Sequence, residues 1–176
     1  MTALSCTTIT VIPANITVTV PSTNPAGASV YLQTTSGRWQ LLGIAPVSFS
    51  IAANSAFSVK LSLPGYNDAI ISGTAGASNM SLQTPVLSGI PLIAFGPVTV
   101  DQSTVFPGSL VSVSIPINNT GTGDYPGGSP GHYLSVNGSN VGVITVPPIA
   151  AGRGVNVTMK VTPPAVGIYG VCINQP

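Results

Sequence analysis

No stretch of this chain keeps a 3.6-residue apolar period for three turns. Val, Ile and Thr alternate with polar residues in runs of five to eight instead. That period of two belongs to half-buried strands. Twenty Gly and 17 Pro interrupt the runs, which disfavours helix almost everywhere. The pattern predicts an all-β protein. At 176 residues the chain has room for one large sandwich or two small domains. Its 44% hydrophobic content sets it apart from ordinary disordered chains.

In the first half, residues 4–20 read as extended, broken once at Pro13. A turn over 21–27 leads to strands near 28–34, 38–42, 47–51, 57–63 and 69–72, with a hairpin turn at Ser36-Gly37. Alternation places Phe57, Val59, Leu61 and Leu63 on one buried face. Gly27 and Gly43 suit turns with positive φ. Trp39 and Tyr66 are expected at the edge of the core.

Three elements stand in order here: Asn24-Pro25-Ala26-Gly27-Ala28-Ser29-Val30-Tyr31, then Leu42-Gly43-Ile44-Ala45-Pro46, then Phe57-Ser58-Val59-Lys60-Leu61 with Gly65-Tyr66. Over about residues 20–75 this resembles a PEGA domain, a small β-sandwich of extracytoplasmic proteins. The resemblance implies a non-catalytic surface module and carries over no active site.

The second half offers strands near 98–100, 111–121, 133–136, 141–146, 155–161 and 167–173. Pro107-Gly108-Ser109, the Asn118-Asn119-Thr120-Gly121 strand end, Ala151-Gly152 and Gly167-Ile168-Tyr169 make about residues 98–176 similar to immunoglobulin-like domains of the CARDB type. Such a resemblance implies adhesion, spacing or assembly at a surface. The expected organisation is therefore an extended N-terminal strand over 1–20, free to act as a donor strand, a PEGA-like sandwich over 21–85, a linker over 86–97 and an immunoglobulin-like sandwich over 98–176.

Charge is almost absent: four Lys+Arg, three Asp and no Glu, where an ordinary domain is about 25% charged. With a net charge of +1 there is no basic stripe, so no nucleic-acid partner is expected. The longest apolar region, 86–100, is cut by Pro91 and Pro97 and cannot form a spanning helix of about 20 residues. The first positive charge is Arg38, so no signal peptide is expected at the start. Two explanations remain, a leader already removed or release by another route, such as with a virion.

Catalysis needs convergent polar groups, and the three Asp are scattered at 68, 101 and 124. His132 is expected to face solvent from a loop; Asp124 with His132 would be too few ligands for structural zinc. No cofactor and no metal are expected. Lys60 or Lys160 joined to an Asn in an isopeptide staple is a further option.

Five Asn-X-Ser/Thr sequons begin at Asn15, Asn79, Asn118, Asn137 and Asn156. Eleven Asn and 38 Ser plus Thr would give about half as many by chance. N-linked glycans would supply the hydration that charges do not. Cys6 and Cys172 would close a loop of nearly the whole chain, worth about 5 kcal/mol in the loop-entropy view. Pairing between subunits and free buried thiols are the alternatives.

An uncharged extended segment is an aggregation hazard in a monomer and an assembly device when it completes a neighbour's sheet. The sequence thus points to a glycosylated, non-enzymatic subunit of an extracellular, pilus-like homopolymer. A virion capsid or turret protein and a monomeric adhesin that binds carbohydrate are the alternatives.

Overall fold

The computed structural model describes residues 15–174, and Cys6 with the rest of 1–14 lies outside them. Among the described residues there is no helix; fourteen strands form two units, one up to Leu87 and one from Ser88. Both are β-sandwiches, so the all-β, immunoglobulin-like class holds.

The first unit contains β1 (Asn15–Val20), β2 (Ser29–Gln33), β3 (Trp39–Ile44), β4 (Val47–Ala52), β5 (Ala56–Ser62), β6 (Ala69–Thr74) and β7 (Met80–Ser81). Its two sheets have the orders β4-β1-β7 and β3-β2-β5-β6. Alternation decides which side chains go inside: Ile16, Val18 and Val20 from β1, and Phe57, Val59 and Leu61 from β5, are all buried. Leu63 and Tyr66 pack against this core. The Ser36-Gly37 turn closes with the Gly37 amide on the Thr34 carbonyl and Gly37 at φ 79°.

Residues 15–20 are therefore not a free donor strand. They pair with β4 over six registered positions, from Asn15 opposite Ala52 to Val20 opposite Val47, and with β7 in parallel. Their three buried side chains are part of their own unit's core. Burial of that many β-branched side chains is worth several kcal/mol, enough to hold the strand at home.

The second unit contains β8 (Ile93–Phe95), β9 (Thr99–Val100), β10 (Val111–Asn119), β11 (Tyr133–Val136), β12 (Ser139–Val143), β13 (Gly154–Val161) and β14 (Val171–Asn174). One sheet runs β13-β10-β8, with β9 also on β10; the other runs β12-β11-β14. Val113, Ile115, Ile117 and Leu134 are fully buried between them.

The expected linker over 86–97 is split between the units. Leu87 is buried in the first core, whereas Ile93 and Phe95 pack on the second and β8 pairs with β10 from Ile117 to Asn119. The density of Pro and Gly masked a short edge strand, and edges are where Pro is tolerated. Pro116, mid-strand in β10, follows the same rule. Its carbonyl accepts from Gly96, so its missing donor faces the break between β8 and β9.

Candidate functional site

The five sequon asparagines are all exposed. Asn15 opens β1. Asn79 stands before β7, and its Oδ1 accepts from the Thr17 amide at 2.8 Å. Asn137 sits in the β11–β12 turn at φ 48°. It clamps Gly170 twice: its Oδ1 accepts from the Gly170 amide at 2.7 Å, and its own amide donates to the Gly170 carbonyl at 2.8 Å. In both clamps the acceptor oxygen is the one used, which leaves the Nδ2 that a glycan would take. Asn118 and Asn156 lie on adjacent strands, Asn118 opposite Gly154 and Asn156 opposite Pro116. They are diagonal neighbours on one outward face.

Asn119, next to Asn118, is a residue the sequence did not single out. It is 1% exposed and its side chain makes four hydrogen bonds. Oδ1 accepts from the Leu92 and Gly121 amides at 3.0 and 3.1 Å, and Nδ2 donates to the Gly123 and Ile149 carbonyls at 2.8 and 3.1 Å. The Asn-Asn-Thr motif held a signal for it only through strand parity, which points Asn119 inward with Ile117 and Val113.

The few ionisable groups are spread out. Lys60 pairs with Asp68 at 3.5 Å and lies over Tyr31, 4.8 Å from the ring centre, and more loosely over Trp39 at 5.8 Å. A hydrogen bond from Ser62, with a smaller contribution from Lys60, holds the Asp68 carboxyl below the usual carboxylate range. Asp101 is lowered chiefly by the Ser112 amide, which donates to its Oδ1 at 2.9 Å. Asp124 accepts from the Ala151 amide. His132 departs from the expected solvent-facing loop: it is half-buried, and its ring tilts against Phe95 with centres 4.4 Å apart. An aromatic face two strands away captured it. No group of three metal-ligating side chains occurs among the described residues. Lys160 is exposed.

The second unit carries two concave features. A cleft of about 1050 Å³ is lined by Val100, Val105, Val136, Val171 and Tyr169 among others. Val166 and Ile168, 92% and 97% exposed, line it as well, and Phe106, 85% exposed, stands between the lining residues Val105 and Pro107. A second groove, about 650 Å³, runs between β8 and β14, walled by Ile93, Phe95, Val98, Val171, Cys172 and Ile173. Cys172 is exposed and forms no disulfide among the described residues, which do not include Cys6.

Residues 92–174 match the CARDB family model, which takes in β8 and starts before the boundary expected at 98. No curated protein matches the chain. Among solved structures, the chain is similar to a DUF3823 family protein from Parabacteroides merdae ATCC 43184, at 10% identity and a TM-score of 0.32, over 85% of this chain and 81% of that one. It is also similar to a DUF3823 family protein from Bacteroides ovatus ATCC 8483, at 13% identity and a TM-score of 0.30, over 93% and 92% of the two chains. The second sandwich is thus similar to an immunoglobulin-like domain of the CARDB type.

Proposed function

We propose that this protein is a glycosylated structural subunit of an extracellular filament, assembled from copies of itself by strand addition. The observation that carries the reading is the group of bare apolar side chains beside the large cleft of the second unit, Phe106, Val166 and Ile168. A monomer rarely keeps such a surface uncovered, and this chain has only seven charged side chains to hold copies apart. Cover by a neighbour resolves both at once.

The remaining features fit the same role. The PEGA-like first half and the CARDB-type second half are both spacer-like sandwiches without chemistry of their own. Five exposed sequons would hydrate the polymer's outer faces. The function is structural and calls for no cofactor. Negative-stain electron microscopy of the purified, natively glycosylated chain tests the reading. Filaments of uniform width support it; dispersed single particles at micromolar concentration overturn it.

A further inference from the structure

We infer that Asn137 is a modification switch on the large cleft of the second unit. An N-linked glycan there occupies the surface that a neighbouring copy must cover, so copies join only where Asn137 carries none. The inference rests on the filament reading and names its control. Asn137, Gly138 and Ser139 are the sequon, and they form the tip of the β11–β12 hairpin, closed by Val136 opposite Ser139. Asn137 and Gly138 have φ of 48° and 80°, the positive pair that a two-residue hairpin turn requires. Asn137 and Ser139 both line the cleft, together with Tyr169 and the bare side chains Val166 and Ile168.

The clamp on Gly170 fixes where a glycan would start. The Asn137 Oδ1 accepts from the Gly170 amide and the Asn137 main-chain N–H donates to the Gly170 carbonyl, so the side-chain amide is held at the rim with its Nδ2 left over. Ile168 is two residues from Gly170, at most about 7 Å along the backbone. Tyr169 lies between them, its hydroxyl donating to the Ala165 carbonyl at 3.1 Å. The first sugar on Nδ2 thus starts beside the apolar rim. The other four sequon asparagines do not line the cleft. Asn15 and Asn79 belong to the first unit. Asn118 stands seven residues from Val111, about 23 Å along β10, and the cleft takes in the Val111 end. Those four keep the task of hydrating the polymer, and the role of the fifth narrows to control.

A glycan is hydrated on every side. Pressed between two apolar walls it loses hydrogen bonds to water and gains none, which opposes any contact over the cleft. On the free chain it stays wet and shields the bare side chains. The modification balances with an activated sugar whose leaving group is a phosphate ester. The bond from the anomeric carbon to the phosphate oxygen breaks with its electron pair on that oxygen. A bond from the same carbon to Nδ2 forms, and Nδ2 gives up one proton. Neither hydrogen bond to Gly170 is consumed, because Oδ1 and the main-chain amide take no part.

Native material separated by sedimentation into assembled and unassembled fractions tests the switch, with glycopeptide mass spectrometry of each. Asn137 should be occupied about tenfold less often in the assembled fraction, with Asn15, Asn79, Asn118 and Asn156 occupied alike in both fractions. Ser139→Ala in the full chain removes the sequon and keeps the clamp on Gly170; it should raise the assembled share. Ser81→Ala, which removes the sequon at Asn79, should leave that share unchanged. Equal occupancy of Asn137 in the two fractions, or a bare Asn137 in both, overturns the inference and leaves the filament reading standing. Absence of an assembled fraction from the native chain and from Ser139→Ala alike removes both.

Discussion

Asn119 Nδ2 donates to the Ile149 carbonyl across 30 residues of sequence, at 3.1 Å and out of reach of water. Together with its bonds to Leu92, Gly121 and Gly123, this makes one buried amide the tie between the end of β10 and three neighbouring backbone segments. Its neighbour Asn118 points the other way, into solvent.

Asn119→Ala should therefore destabilise the second unit by about 2–3 kcal/mol, because the Leu92 and Gly121 amides and the Gly123 carbonyl lose this partner and the Ile149 carbonyl keeps only the Tyr125 amide. The adjacent Asn118→Gln, which removes a sequon at the exposed face, should cost less than about 0.5 kcal/mol. Thermal unfolding of the unglycosylated chain compares them. Equal effects would mean that Asn119 is not the tie.

Gly121 meets the same region so closely that a Cβ would overlap the Ile90 carbonyl oxygen and the Leu92 amide nitrogen. Gly121→Ala should shift these backbones apart and cost about 2 kcal/mol or more, read in the same melts. Gly76→Ala is the control, since a Cβ there meets nothing within 4 Å.

Asn118 and Asn156 are diagonal neighbours across β10 and β13, where side chains stand about 7–8 Å apart. The proposed N-linked glycans at these two sequons would crowd one another on this face. Glycopeptide mass spectrometry should find them mostly on alternative molecules, and Asn118→Gln should raise occupancy at Asn156. Full occupancy at both positions on the same chains would contradict this.

Acid should affect the chain little. Asp68 and Asp101 have folded-state values below their unfolded ones. The stability they add is complete above the unfolded value, near pH 4, and falls away only as pH drops through the folded value. Both carboxyls are solvent-exposed, so the contribution is small. Denaturant midpoints are expected to be flat from pH 7 to about 4 and to decline gently below. A steep loss between pH 5 and 4 would show that some other titrating group governs stability.

The strands were legible where the period of two was long and uninterrupted. The nine residues of β10 and the apolar face of β5 follow directly from alternation. Residues 15–20 show their extended character in the sequence but not their partner β4, because alternation fixes which side chains go inside and says nothing about which strand lies alongside. Ile93 and Phe95 read as linker in the sequence because Pro91, Gly96 and Pro97 crowd them. His132 shows the same limit for side chains: its capture by Phe95 depends on two segments far apart in sequence.

Light-scattering mass of the chain across a concentration series tests the proposed filament assembly: the mass should keep rising in multiples of the subunit, with no single closed species. A constant mass of one 17.6 kDa chain plus its glycans at every concentration would contradict it.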